Sequence, residues 1–168
     1  SSRLSPRWGT RICTFDPRRW VSHSSYVARS SLSTGTSTCF GTPAVCVSSS
    51  GGTDGFIARF HSDGILFGAV RFGGAANDRV NGIALDAGGN AFVVGEFAIS
   101  GKWGNVTLST TGGADEDMFI AKLDPDGATI WARDFGDMGA QEAGAVAVDA
   151  QGNAVVTGRT TGVVSFGG

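Results

Sequence analysis

The chain has 168 residues, glycine is the commonest, charged residues make up 17% and the formal net charge is −2. An apolar content of 41% is enough for a core and argues against intrinsic disorder. The balanced charge argues against a nucleic-acid-binding surface, and no run nears the roughly 18 apolar residues of a membrane span.

Charge is unevenly spread. Residues 1–33 hold six arginines and one acid, Asp16, among many serines, and show no sustained apolar period. This flank reads as poorly folding; a basic tail for an acidic partner and an Arg/Ser-rich leader are the other readings. Beginning at Ser1 and stopping at Gly168 partway through a unit, the chain reads as a fragment.

Cys39 and Cys46 bracket a Gly41-Thr42-Pro43 turn. They could close a small loop in an oxidising compartment, leaving Cys13 unpaired.

From Asp54 onward the chain repeats itself at a spacing of 63. Residues 54–97 align with 117–160 without a gap, and 17 of the 44 positions are identical. Phe56-Ile57-Ala58 falls on Phe119-Ile120-Ala121, and Phe72-Gly73 on Phe135-Gly136. Gly89-Asn90-Ala91 falls on Gly152-Asn153-Ala154, and Phe40, Trp103 and Phe166 share the same spacing. A period of this length signals a repeat architecture.

Each unit reads as strands and turns. Met118–Leu123 alternates, with Phe119, Ala121 and Leu123 on one face, the period of a strand. Asp124-Pro125-Asp126-Gly127 has the chemistry of a turn. Thr129–Phe135 is the return strand. Ala145–Val148 is a strand of small and β-branched residues, 149–153 turns the chain, and Ala154–Gly158 returns. Apolar residues lie on both strand faces, so each sheet should be covered on both sides. Four antiparallel strands per unit stacked around an axis make a β-propeller. The small-residue strands, Gly82–Leu85 and Gly144–Val148, belong nearest the axis and Thr129–Phe135 at the rim. The expected fold is thus all-β: an incomplete propeller with one full blade, Val80–Phe135, between two half blades at 56–72 and 143–159, over residues 34–168.

The run Phe119-Ile120-Ala121-Lys122-Leu123-Asp124-Pro125-Asp126-Gly127, followed by Trp131 and Phe135-Gly136, resembles the SBBP-type bacterial β-propeller repeat. So does Ala145–Asp149 followed by Gly152-Asn153 and Val155-Val156-Thr157-Gly158. The Val-Asp-x-x-Gly-Asn element is also similar to NHL-type blades. The first copy departs from the pattern: Gly68 stands at the tryptophan position and His61-Ser62 replaces Asp-Pro. The resemblance spans about residues 34–168. It implies a repeat of exported or surface-attached bacterial proteins, often in long arrays and without an established shared catalytic site.

Motifs for catalysis or metal are weak. Asp124-x-Asp126-Gly127 opens like a calcium loop, but Ala128 and Phe135 stand where further oxygen ligands belong. The turns at 86–90 and 149–153 are explained by Asp and Asn bonding their own backbone. His23 and His61 lie in no zinc spacing, and no nucleophile elbow or phosphate loop occurs. Asp115-Glu116-Asp117 reads as solvated loop charge. Trp103 reads as core, because Phe40 and Phe166 share its place, and Asn105-Val106-Thr107 fits a glycosylation sequon.

The expectation is a non-catalytic extracellular or cell-surface scaffold, with no cofactor, metal, nucleic acid or membrane span. Its partners would be an unidentified protein or glycan and the remaining blades of its own propeller. The alternatives are a carbohydrate-binding propeller, or part of a propeller enzyme whose site lies in blades outside this chain. The loops 73–79 and 136–142 differ most between copies, which makes Asn77, Asp78, Arg79, Asp137, Gln141 and Glu142 the candidate binding residues. With its sheet edges open, the isolated chain is expected to be marginally stable or self-associating.

Overall fold

The computed structural model describes residues 24–110 and 116–167. The described residues form thirteen strands and no helix. In chain order these are β1 (Ser24–Leu32), β2 (Ser37–Phe40), β3 (Val45–Ser48), β4 (Asp54–His61) and β5 (Leu66–Gly74). They continue as β6 (Asp78–Leu85), β7 (Ala91–Ala98), β8 (Ser100–Trp103) and β9 (Val106–Ser109). The last four are β10 (Glu116–Leu123), β11 (Thr129–Phe135), β12 (Gln141–Val148) and β13 (Ala154–Thr160). All pairing is antiparallel. One sheet has the order β11-β10-β7-β6, another β1-β4-β5-β8-β9, and two hairpins, β12-β13 and β2-β3, stand as two-stranded sheets. The sheets do not close on themselves.

The ladders keep the 63-residue spacing. Ile57 faces Val70 and Ala58 faces Ala69; Ile120 faces Arg133 and Ala121 faces Ala132. Both ladders slip at corresponding places, Arg59/Phe60 and Lys122/Leu123. The β6-β7 and β12-β13 pairs likewise slip between Val80 and Gly82 and between Ala143 and Ala145.

The four-stranded sheet is covered on both faces. Toward the five-stranded sheet, Val93, Phe97, Phe119, Ala121 and Leu123 pack with Ile57, Phe72, Trp103 and Leu108. Toward β12-β13, Val94 and Met118 pack with Ala143. This two-sided burial explains why the strands lack a wet face, and the alternation read from Met118–Leu123 is the one observed. On the far side of the five-stranded sheet, Leu32, Val47, Phe56 and Ala58 form a smaller cluster beneath β2-β3.

Three features differ from the sequence expectation. Asp117 is fully buried at the start of β10 and Glu116 is half-buried, so this pair is not solvated loop charge; Asp115 lies outside the described residues. The sheet expected as a half at 56–72 has five strands, because β1, within the Arg/Ser-rich flank, pairs with β4, and β8-β9 adds to β5. The hairpin β8-β9 interrupts the four-stranded sheet between β7 and β10, yet its strands belong to the neighbouring sheet. Trp103 faces Phe72 across the β5-β8 ladder and buries its ring 4.9 Å from both Phe97 and Phe119. The hairpin is thereby a clasp between two sheets, held by a tryptophan with no solvent exposure.

The turns fold on their own carboxylates. Asp86 Oδ1 accepts the Gly88 and Asn90 amides at 2.9 Å, and Asp149 Oδ1 accepts those of Gln151 and Asn153 at 2.9 and 2.8 Å. Asp124 accepts the Asp126 and Ala128 amides. These bonds account for the Asp-rich turns without any ion.

Candidate functional site

The two loops singled out by sequence leave the ends of β5 and β11 and enter β6 and β12. At the first, Asp54 and Asp78 converge over Gly73. A Cβ on Gly73 would stand 2.2 Å from Asp54 Oδ1 and 2.6 Å from Asp78 Oδ2, so glycine leaves the room both carboxylates use. Asp54 accepts the Ser50 amide at 2.6 Å and Arg71 Nη1 at 3.2 Å. Asp78 accepts the amides of Gly74 at 2.8 Å and Ala98 at 3.3 Å. Burial pushes the Asp78 carboxyl up to about 6; the two amides oppose the shift and the Asp54 charge adds to it. Asn77 Oδ1 takes the Thr53 amide at 3.0 Å, tying the preceding loop down.

The second loop solves the same problem with different residues. Gln141 stands at the place of Asp78 and Asp137 at that of Gly74. The Asp137 amide donates to Gln141 Oε1 at 3.1 Å, and Gln141 Nε2 donates back to Asp137 Oδ1 at 2.7 Å. Asp137 also accepts the Gly139 and Val163 amides, at 2.8 and 2.6 Å. A Cβ on Gly136 would meet the Asp117 carboxyl at 2.1 Å, as Gly73 does with Asp54. A neutral amide replaces the buried acid, and an added aspartate satisfies it.

The structure therefore divides the six candidate binding residues. Asp78 and Gln141 are buried and fix their loops, and Asn77 and Asp137 hold backbone. Arg79 and Glu142 reach the surface, each in an ion pair, with Glu96 at 2.8 Å and with Arg159 at 2.7 Å. Between Asp137 and Gln141, Met138 is 80% exposed; sequence comparison passed over it, although a methionine in a polar loop was a visible signal. Buried Glu96 and Asp54 were also passed over, because a carboxylate on a strand gives no sign of its burial from one sequence.

The other candidates resolve as follows. Cys39 and Cys46 face each other on β2 and β3 and form a disulfide. His61 packs edge-on against Phe67; His23 lies outside the described residues. Trp131 is half-buried, edge-on to Phe92. Among the described residues no group of three or more His, Cys, Asp or Glu side chains could hold a metal ion, and no helix is long and apolar enough to cross a membrane.

Asp54, Asp78 and Asp137 spend their lone pairs on backbone amides, on Arg71 and on the side-chain amide of Gln141. Such an arrangement stiffens loops and presents their outer side chains. No family model matches the chain, and a search of curated proteins returns no similar one.

Proposed function

We propose that the chain is a segment of a β-propeller of the SBBP type that acts as a non-catalytic scaffold at the bacterial cell surface or outside the cell. Its ligand, a protein or a glycan, meets the loops at 75–77 and 136–140. The observation that carries this reading is the shared register of residues 63 apart in sheets stacked on both faces of β6-β7-β10-β11. That is the pattern a radial array of four-stranded blades requires. The small-residue strand β6 lies at one edge of its sheet and the aromatic strand β11 at the other, in keeping with an axis and a rim. The Cys39–Cys46 disulfide supports an oxidising compartment. The enclosed ring of Trp103 weighs against a sugar platform there, so we favour a protein partner over a glycan.

The test is site-specific photo-crosslinking in the full-length protein on intact cells. A photoreactive residue at Met138, on the loop side, should capture a partner. The same residue at Ile65, exposed in the turn at the opposite end of the strands, should not. Equal capture at both positions, or none at Met138, contradicts the reading.

A further inference from the structure

In the first copy Gly68 stands where the second copy has Trp131. The two hold the same ladder position: Gly68 faces Arg59 and Trp131 faces Lys122, each at the step before its ladder slips. Glycine inside a strand marks a bulge, a close approach of another chain segment, or a place where a ligand comes near. The bulge does not require it, because Trp131 sits at the same slip. The backbone does not require it, because Gly68 has no positive φ. No neighbour requires it, since a Cβ on Gly68 would meet nothing within 4 Å. The ligand is the reason that remains.

Gly68 opens onto a cavity of about 110 Å³ between the two large sheets. Ile57 and Val70 wall it from β4 and β5, Ala91 and Leu123 from β7 and β10, and Arg59 and Asp126 are the charged residues of its lining. Ile57, Ala91 and Leu123 are buried, so the cavity has an apolar floor. An apolar cavity of about 150 Å³ holds benzene, so a single aromatic ring is the size of occupant that this one takes. The second copy shows what such a ring meets. There Lys122 Nζ lies 4.7 Å from the centre of the Phe92 ring, and Trp131 packs edge-on to Phe92 at 6.0 Å, which makes a cation with two rings. In the first copy Arg59 Cζ lies 4.3 Å from the centre of the Phe67 ring, which makes a cation with one ring and the cavity beside them. A guanidinium stacks on aromatic faces and is attracted to their π-electrons.

We propose that the cavity at Gly68 binds a small molecule bearing one aromatic ring, which packs beside Arg59 in the place that the Trp131 side chain holds in the other copy. The ring is buried against Ile57, Val70 and Leu123. The site lies at the turn end of the strands, opposite the loops at 75–77 and 136–140. It is therefore separate from the partner-binding surface proposed above, and neither depends on the other.

The test titrates the 168-residue chain, labelled at its Ile, Leu and Val methyls, with phenol and separately with cyclohexanol, the saturated counterpart. Phenol should move the Ile57, Val70 and Leu123 methyls saturably, with a Kd of about 1 mM. The methyls of Ile99, exposed at the opposite end of the strands, should stay in place. Cyclohexanol should bind about threefold more weakly, because it lacks the π-face that Arg59 meets. Gly68→Trp should abolish the phenol shifts with unchanged circular dichroism, since its own indole fills the cavity. Gly68→Leu fills the cavity with a smaller side chain and should weaken phenol binding by about tenfold, which keeps the test open if the tryptophan variant does not fold. No saturable shift up to about 20 mM phenol, or equal shifts at Ile99, overturns the proposal. So does equal binding of cyclohexanol, or unchanged phenol binding in a folded Gly68 variant.

Discussion

Arg79 and Glu96 face each other across β6 and β7, joined at 2.8 Å, and 63 residues later Glu142 and Arg159 face each other across β12 and β13 with the charges exchanged. That second pair stands at 2.7 Å. The same cross-strand position holds a cation and an anion in either order, as expected when the pair and not the single residue is what the sheet needs.

The two pairs should differ in strength. Glu96 is almost fully buried, and burial raises its pKa against the pull of Arg79. Arg79→Ala leaves that carboxylate buried without its cation and should cost about 2 kcal/mol. Exchanging both, Arg79→Glu with Glu96→Arg, should recover most of the loss. Arg159 is 83% exposed, so its pair with Glu142 should contribute about 0.5 kcal/mol or less. Double-mutant cycles by chemical denaturation measure both; equal coupling in the two pairs contradicts the assignment.

Stability should depend on pH through Asp78. Its carboxyl titrates near 6 when folded, against 3.8 when unfolded. Between these values the native state binds the extra proton, so stability falls as pH rises through the window and is regained on acidification. The shift corresponds to about 3 kcal/mol between neutral pH and about pH 4. Asp86 acts oppositely: although burial works against it, hydrogen bonds from Asn90 and Lys122 hold its carboxyl down to about 2. Its contribution is present above about pH 4 and is lost as pH falls toward 2. Denaturation midpoints should therefore peak between about pH 4 and 5, and Asp78→Asn should flatten the rise from neutral pH.

Trp103 and Phe166 share a place in the repeat but not a burden. Trp103 has no exposure, while Phe166 is 66% exposed beside Phe135. Trp103→Ala should cost about 3–5 kcal/mol, and Phe166→Ala under about 1 kcal/mol. Trp103→Phe should be mild, because the buried indole N–H meets no acceptor among the described residues and phenylalanine removes that donor. Thermal melts of the three variants decide this.

Ile99 enters the β8-β9 clasp at φ 63°, a conformation β-branched residues adopt at a cost of about 1–2 kcal/mol. Its side chain is 56% exposed, so little packing opposes a change. Ile99→Gly should raise stability by about 1 kcal/mol; a lower melting temperature contradicts the geometry.

Much of this fold was legible because strand faces and turns are local properties. The alternation of Phe119, Ala121 and Leu123 and the Asp-led turns follow from neighbouring residues, and the enclosure of Trp103 was read from its place in the repeat, which it shares with Phe40 and Phe166. The clasp was not legible: no strand was read between Ala98 and Met118, and nothing in Ser100–Trp103 says that it pairs with β5 rather than with β7 or β10. The burial of Asp54, Asp78 and Asp117 was hidden for a related reason. A carboxylate on a strand looks solvated until the amides and the glycine it packs against come together from other strands. The exchanged charges at 79, 96, 142 and 159 were open to sequence comparison alone, since only their pairing needs the ladder.

The central claim is that residues 63 apart hold the same ladder positions in adjacent sheets, and cross-strand NOEs in the labelled chain test it most directly. The account predicts contacts between Ala58 and Ala69 and between Ala121 and Ala132, with the slip one residue beyond Arg59 and Lys122 in both ladders. One set without the other, or the two in different registers, would contradict it.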